Sequence, residues 1–159
     1  MQDDESMELV FGTREGDHIR FEVLGLTSPE SDTDWYRSQL DVEIRIDVGT
    51  FRGYRSLVMF SDNFHLFRGA LKRLLSAETA DAWLETGDYL SVQVSADGSA
   101  CEAWVQLDAL ERDGEMVLLH GGTVNWEWRL PMNRTSLATL VAAVTRVSEC
   151  YPTWSRGAP

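Results

Sequence analysis

The sequence predicts an α+β fold: an antiparallel β-sheet of about eight strands with two helices, one after strand four and one at the C-terminus. Three observations predict it. Apolar and polar residues alternate with period two through most runs before Phe60 and again beyond Tyr89. Two stretches, Phe64–Leu75 and Leu137–Val147, change to a spacing of three and four. The strand–helix–strand alternation of a parallel sheet is missing, which argues against a dinucleotide fold.

The elements follow in order. Residues 1–6 carry three consecutive acids and read as a disordered tail; 7–152 read as one domain, and 153–159 as a C-terminal tail. Met7–Phe11 and His18–Leu26 flank a hairpin loop, GTREGD, marked by its two glycines. In the second run Ile19, Phe21 and Val23 alternate with Arg20 and Glu22. The polar stretch TSPESDTD (27–34) is a loop.

Leu40–Val48 has the clearest alternation in the chain. Leu40, Val42, Ile44, Ile46 and Val48 face one way, and Asp41, Glu43, Arg45 and Asp47 the other. After a turn at Gly49-Thr50, Phe51–Phe60 is apolar on both faces and predicts a more central strand. Ser61 or Asp62 is placed to cap the first helix, whose apolar face is Phe64, Phe67, Leu71, Leu74 and Leu75. The stretch 77–85 is ambiguous. Strands then read at Tyr89–Ser95, Ala100–Asp108, Glu115–His120 and Thr123–Leu130, with turns at Asp97-Gly98 and Asp113-Gly114. In the last of these Val124, Trp126, Trp128 and Leu130 share a face. A helix from about Thr135 to Cys150 closes the chain, striped by Leu137, Leu140, Val141, Val144 and Val147 and stopped by Pro152.

Composition narrows the function. The 159 residues carry 26 Asp and Glu against 14 Lys and Arg, a formal charge of −12. A general nucleic-acid binder needs clustered cations for phosphate, and an anionic membrane surface would repel this chain. A basic protein partner suits it. Half of the acid falls in the first 47 positions, against four Arg. The opening residues lack the basic and apolar regions of a signal peptide, so the expected location is cytoplasmic.

Catalytic and cofactor motifs are missing. There is no G-x-S-x-G, no phosphate-cradling G-x-x-x-x-G-K-[ST] and no G-x-G-x-x-G. His18, His65 and His120 lie in different elements without metal-ligand spacing. Cys101 and Cys150 are too few for a disulfide framework and read as reduced, packed, small apolar groups. The reading is therefore a protein that is not an enzyme and takes no cofactor or metal. Candidate partner-binding residues are Asp32, Asp34, Trp35, Asp41, Glu43 and Asp47: one charged strand face, two loop acids at its rim, and an aromatic anchor. A plain solvated face is the competing reading of the same acids.

Several features in succession resemble the bacterial WapI-type immunity-protein family. They are Asp32/Asp34-Trp35, the strand LDVEIRIDV, the turn Gly49-Thr-Phe-Arg-Gly53, the helix FHLFRGALKRLL, the Asp97-Gly98 hairpin and the terminal Leu137…Tyr151-Pro152 helix. The resemblance spans roughly Glu8 to Pro152; at Asn133 and Arg134 the chain departs from the family's Asp-Gln entry to the last helix. It implies a small cytoplasmic antitoxin that neutralises a cognate toxin domain, such as a nuclease, by binding it, and it transfers no catalytic residue. A small-ligand-binding domain or a hydrolase, with its site on the concave side of the sheet, is the alternative class. An aromatic-lined pocket holding a desolvated carboxylate or His would favour it.

Overall fold

The alternation read in the N-terminal third becomes four antiparallel strands in sequential order: β1 (Met7–Gly12), β2 (His18–Leu26), β3 (Gln39–Val48) and β4 (Phe51–Phe60). The computed structural model describes residues 7–86, 90–97, 100–112, 115–118 and 126–153. A short helix, α1 (Asp34–Arg37), interrupts the loop between β2 and β3. After α2 (Ser61–Leu75) come β5 (Asp81–Thr86), β6 (Leu90–Asp97), β7 (Ala100–Leu107), β8 (Ala109–Arg112), β9 (Glu115–Leu118), β10 (Trp126–Met132) and the C-terminal helix α3 (Arg134–Cys150).

The α+β class, the antiparallel pairing and the places of the two long helices are as the sequence predicts. The strands, however, are shared between two sheets. One has six strands in the order β1-β2-β3-β4-β8-β9, and the other four in the order β10-β7-β6-β5. The chain changes sheet at Asp108, between β7 and β8, where the Asp108 carboxylate meets the Arg55 guanidinium of β4 at 3.4 Å. The inner faces of both sheets and the apolar stripes of both long helices supply one continuous buried cluster.

Both long helices owe their place to that cluster. Phe64, Phe67, Leu71 and Leu74 of α2 and Leu137, Leu140, Val144 and Val147 of α3 are buried. Each such side chain contributes about 1.5–3 kcal/mol on burial, well above the ~1 kcal/mol of a good cap. Packing therefore outweighs capping in keeping both helices.

The start of α2 corrects the sequence reading. Neither Ser61 nor Asp62 is the cap; Phe60, still extended as the end of β4, holds that position, and Asn63 Oδ1 accepts its N–H at 2.8 Å. Ser61 is buried and its hydroxyl donates to the Pro152 carbonyl at 2.9 Å, so it is already used. His65 Nε2 donates to the Tyr151 carbonyl at 2.7 Å, which completes the tie between the end of α3 and the start of α2. At α3 the cap is reciprocal: Asn133 Oδ1 accepts from Ser136 N, and Ser136 Oγ from Asn133 N. Asn133 thus accepts at this helix start as an Asp would.

Other boundaries move. The ambiguous stretch after α2 contains the edge strand β5. The last strand continues through Pro131 to Met132, which is possible because β10 is also an edge and Pro131 needs no ladder N–H. β4 is central in its sheet, yet Arg52, Ser56 and Val58 are exposed, so its outer face is less buried than its composition suggests. The sequence readings at Gly98, Gly114, His120, Gly121, Gly122 and Val124 lie outside the described residues.

Two glycines shape β1 and β2. A Cβ at Gly12 (φ +100°) would run into the Asp17 carbonyl oxygen, so the first hairpin loop closes only around glycine. Gly25 (φ +140°) sits at the one irregularity in the β2–β3 register, between Val23 and Gly25.

Candidate functional site

Strand β3 sets the geometry of the candidate surface. Leu40, Val42, Ile44 and Ile46 are almost wholly buried. Period-two alternation therefore turns Asp41, Glu43, Arg45 and Asp47 to the opposite, outer face of the six-stranded sheet. Three of the sequence-predicted residues are brought together in this way.

Their neighbours follow from register. Glu43 lies between Glu22 of β2 and Ser56 of β4, and Glu22 is in turn opposite Glu8 of β1. The next row runs Val10, Arg20, Arg45 and Tyr54, and Asp47 lies between His18 and Arg52. Acidic and basic rows thus interleave. Arg52 Nη1 meets Asp47 Oδ1 at 2.6 Å, and Arg45 Nη2 meets Glu43 Oε2 at 3.3 Å. The Tyr54 hydroxyl donates to Glu43 Oε1 at 2.9 Å, and Thr27 Oγ1 donates to Asp41 Oδ1 at 2.8 Å. Arg14 and Arg20 both reach Glu8, at 3.4 and 3.5 Å. Surface pairs of this kind are worth roughly 0–1 kcal/mol, so a partner's cations can replace them at little cost.

One end of this face is apolar. Val58 is cross-strand from Asp41 and 45% exposed, and Leu24, at the bulge beside Gly25, is 55% exposed. The Trp35 ring, 40% exposed, packs 5.3 Å from that of Phe60, which shares the outer parity of β4 with Val58. Asp32 is exposed on the loop joining β2 to β3. Asp34 opens α1, and its side chain lies outside the described residues. Sequence reasoning missed Leu24, Tyr54 and Val58. The signal for the last two was the even-numbered set Arg52, Tyr54, Ser56, Val58, hidden because β4 read as apolar on both sides.

Elsewhere, a cavity of about 380 Å³ opens between the end of α2, the β6–β7 end and the start of α3. Its lining includes Leu74, Ala77, Ala96, Cys101, Arg134 and Leu137, with no aromatic residue and no histidine. Among the described residues no group of His, Cys, Asp or Glu is arranged to hold a metal ion, and no helix is long and apolar enough to cross a membrane.

The cysteines divide. Cys101 is buried, whereas Cys150 is exposed at the end of α3, which corrects the expectation that both are packed. Cys150 falls off the stripe that faces the core. Burial pushes the Cys101 thiol above its ordinary value, outweighing a backbone hydrogen bond and the charge of Arg134. Burial likewise raises the Tyr151 phenol. In the native protein at pH 8, iodoacetamide should modify Cys150 well before Cys101, whose thiol is buried at the wall of the cavity and ionises less readily, so mass spectrometry should show one equivalent first; equal rates at the two sites would show that the cavity admits the reagent as freely as solvent does. Both acids ionise less readily when folded, so the stability they lend is complete below about pH 9 and is lost as pH rises through the folded values.

Comparison with solved structures finds distant likenesses. One is to the MRP1/MRP2 proteins of Trypanosoma brucei, at 10% identity and a TM-score of 0.47, covering 94% of this chain and 86% of that one. Another is to a guide-RNA-binding protein complex bound to a guide RNA, at 12% identity and a TM-score of 0.48, covering 94% and 92%. No curated protein matches the sequence. The family match is of another order: residues 10–152, from the middle of β1 to the turn after α3, match the immunity protein WapI-like family, and the chain belongs to that family.

Proposed function

We propose that this protein is an antitoxin: a non-enzymatic, cytoplasmic immunity protein that binds a cognate toxin domain and blocks it. Family membership supports the immunity role. The observation that carries the binding mode is the outer face of β3, where Asp41, Glu43 and Asp47 share one surface with the exposed apolar end at Trp35, Val58 and Leu24. An apolar anchor beside replaceable charges is the composition of a protein-binding hot spot with a polar surround. Asp32, exposed on the loop before α1, and Asp34, which opens α1 beside Trp35, are included in the reading by their place in the chain next to that anchor.

The toxin domain this arrangement fits is basic, such as a nuclease whose cleft grips phosphate. Opposed fields speed encounter and fix orientation, so occupation of the cleft is enough to inhibit. The test is co-expression with the toxin encoded beside this gene, followed by co-purification. Cells should survive, and the two chains should elute as one complex whose association slows steeply with added salt. Survival without a complex, or with a salt-independent association rate, would refute this mode of action.

A further inference from the structure

The four-stranded sheet turns a second face to solvent, and the β3 surface does not use it. On β5, Ala82 and Leu84 enter the core, so Asp81, Trp83 and Glu85 stand together on the outside. All three are exposed, Trp83 by 41%. Register carries the row across the sheet: Trp83 is opposite Gln93, Gln93 opposite Trp104, and Trp104 opposite Arg129.

The far end of that row shows what such an indole can hold. The Arg129 guanidinium lies 4.6 Å from the centre of the Trp104 ring, while its Nη1 meets Glu102 Oε1 at 2.9 Å. A cation is thus stacked on one tryptophan and held by a carboxylate, all within the chain. Trp83 repeats the arrangement with no cation stacked on it among the described residues: an exposed indole with a carboxylate two residues away on either side. The β5 edge is also fixed in advance. Gln93 Nε2 donates to Asp81 Oδ2 at 3.2 Å, and Asn63 Nδ2 of α2 donates to the Glu85 carbonyl at 3.1 Å.

The geometry points to Trp83, Asp81 and Glu85 as a receptor for an arginine or lysine side chain of a basic protein, which makes the outer face of β5-β6-β7-β10 a second docking surface. Charge complementarity selects that occupant. Among the described residues, Asp81, Glu85, Glu102 and Glu127 share this face with one cation, Arg129, so phosphate is repelled and a cation attracted. Stacking on the indole adds to the carboxylate attraction when the cation is desolvated by docking. The two outer faces lie on different sides of the shared core, and this inference does not depend on what the β3 face binds.

The test uses the full chain, labelled with ¹⁵N and titrated with hexa-arginine amide, reading the six indole N–H signals and the backbone. The Trp83 indole and the amides of 81–85 and Gln93 should shift together. Trp83→Ala should weaken this binding by about five-fold or more, as should Asp81→Asn with Glu85→Gln. Glu43→Gln with Asp47→Asn, on the other sheet, should leave these shifts as they are. Three results would overturn the proposal: shifts confined to the β3 face, undiminished binding by Trp83→Ala, or the same indole shifts with maltohexaose or on concentrating the protein alone. Those would mark, in turn, a solvated acidic face, charge without recognition, and a sugar or a second copy as the occupant.

Discussion

Replacing Asp41, Glu43 and Asp47 together by lysine should leave the protein folded and abolish its protection of cells against the toxin. Folding survives because the three carboxylates project from the outer face of β3, and their pairs with Arg45 and Arg52 are surface pairs. The half-buried bonds lost are those of the Tyr54 hydroxyl to Glu43 and the Thr27 hydroxyl to Asp41, and Tyr54 keeps Ser56 Oγ at 2.6 Å. Binding fails because the new lysines join Arg20, Arg45 and Arg52 in a contiguous positive field facing a positive cleft. Electrostatic steering changes association rates by ~10–1000-fold, and reversal turns attraction into repulsion. Thermal melts should stay close to wild type while survival in co-expression drops to the level of toxin alone. The neutral set Asp41→Asn, Glu43→Gln, Asp47→Asn should fall between the two. A lysine variant that still protects and associates at the wild-type rate would place the binding surface elsewhere.

Val42→Asp should unfold the protein. Val42 is 1% exposed, and its cross-strand neighbours on β2 and β4 are Val23 and Leu57. An aspartate there has no cation directly opposite it on either neighbouring strand; the nearest in the ladder, Arg55, is diagonal to it and already paired with Asp108, and an unpaired buried charge costs several kcal/mol. A domain of this size has only ~5–15 kcal/mol of stability in total. Ile44 is as deeply buried but makes a weaker test. Its partner on β4 is Arg55, whose guanidinium also pairs with Asp108, and an aspartate at 44 would meet a counter-charge. The measurement is far-UV circular dichroism with a urea titration. A cooperative, wild-type-like transition for Val42→Asp would mean that β3 does not pack in the register described.

Much of this protein was legible because periodicity is local. Strands β1 to β3 and the stripes of α2 and α3 follow from side-chain spacing within a dozen residues, and so does the outward set Asp41, Glu43 and Asp47. The family resemblance was equally visible in one-dimensional pattern. What spacing cannot carry is the pairing of distant segments. The change of sheet at Asp108 rests on Arg55, more than fifty residues earlier, and the start of α2 rests on Pro152, Tyr151 and Asn63. The exposed apolar end at Leu24, Val58 and Trp35 exists only because a bulge in β2 and the outer parity of β4 meet there. Class, strand faces and acidity are properties of the one-dimensional pattern; which charges become neighbours depends on how the strands pair in the fold. The tertiary structure places each acid of the β3 face beside a donor, because register, a property of two strands at once, sets which side chains lie within reach.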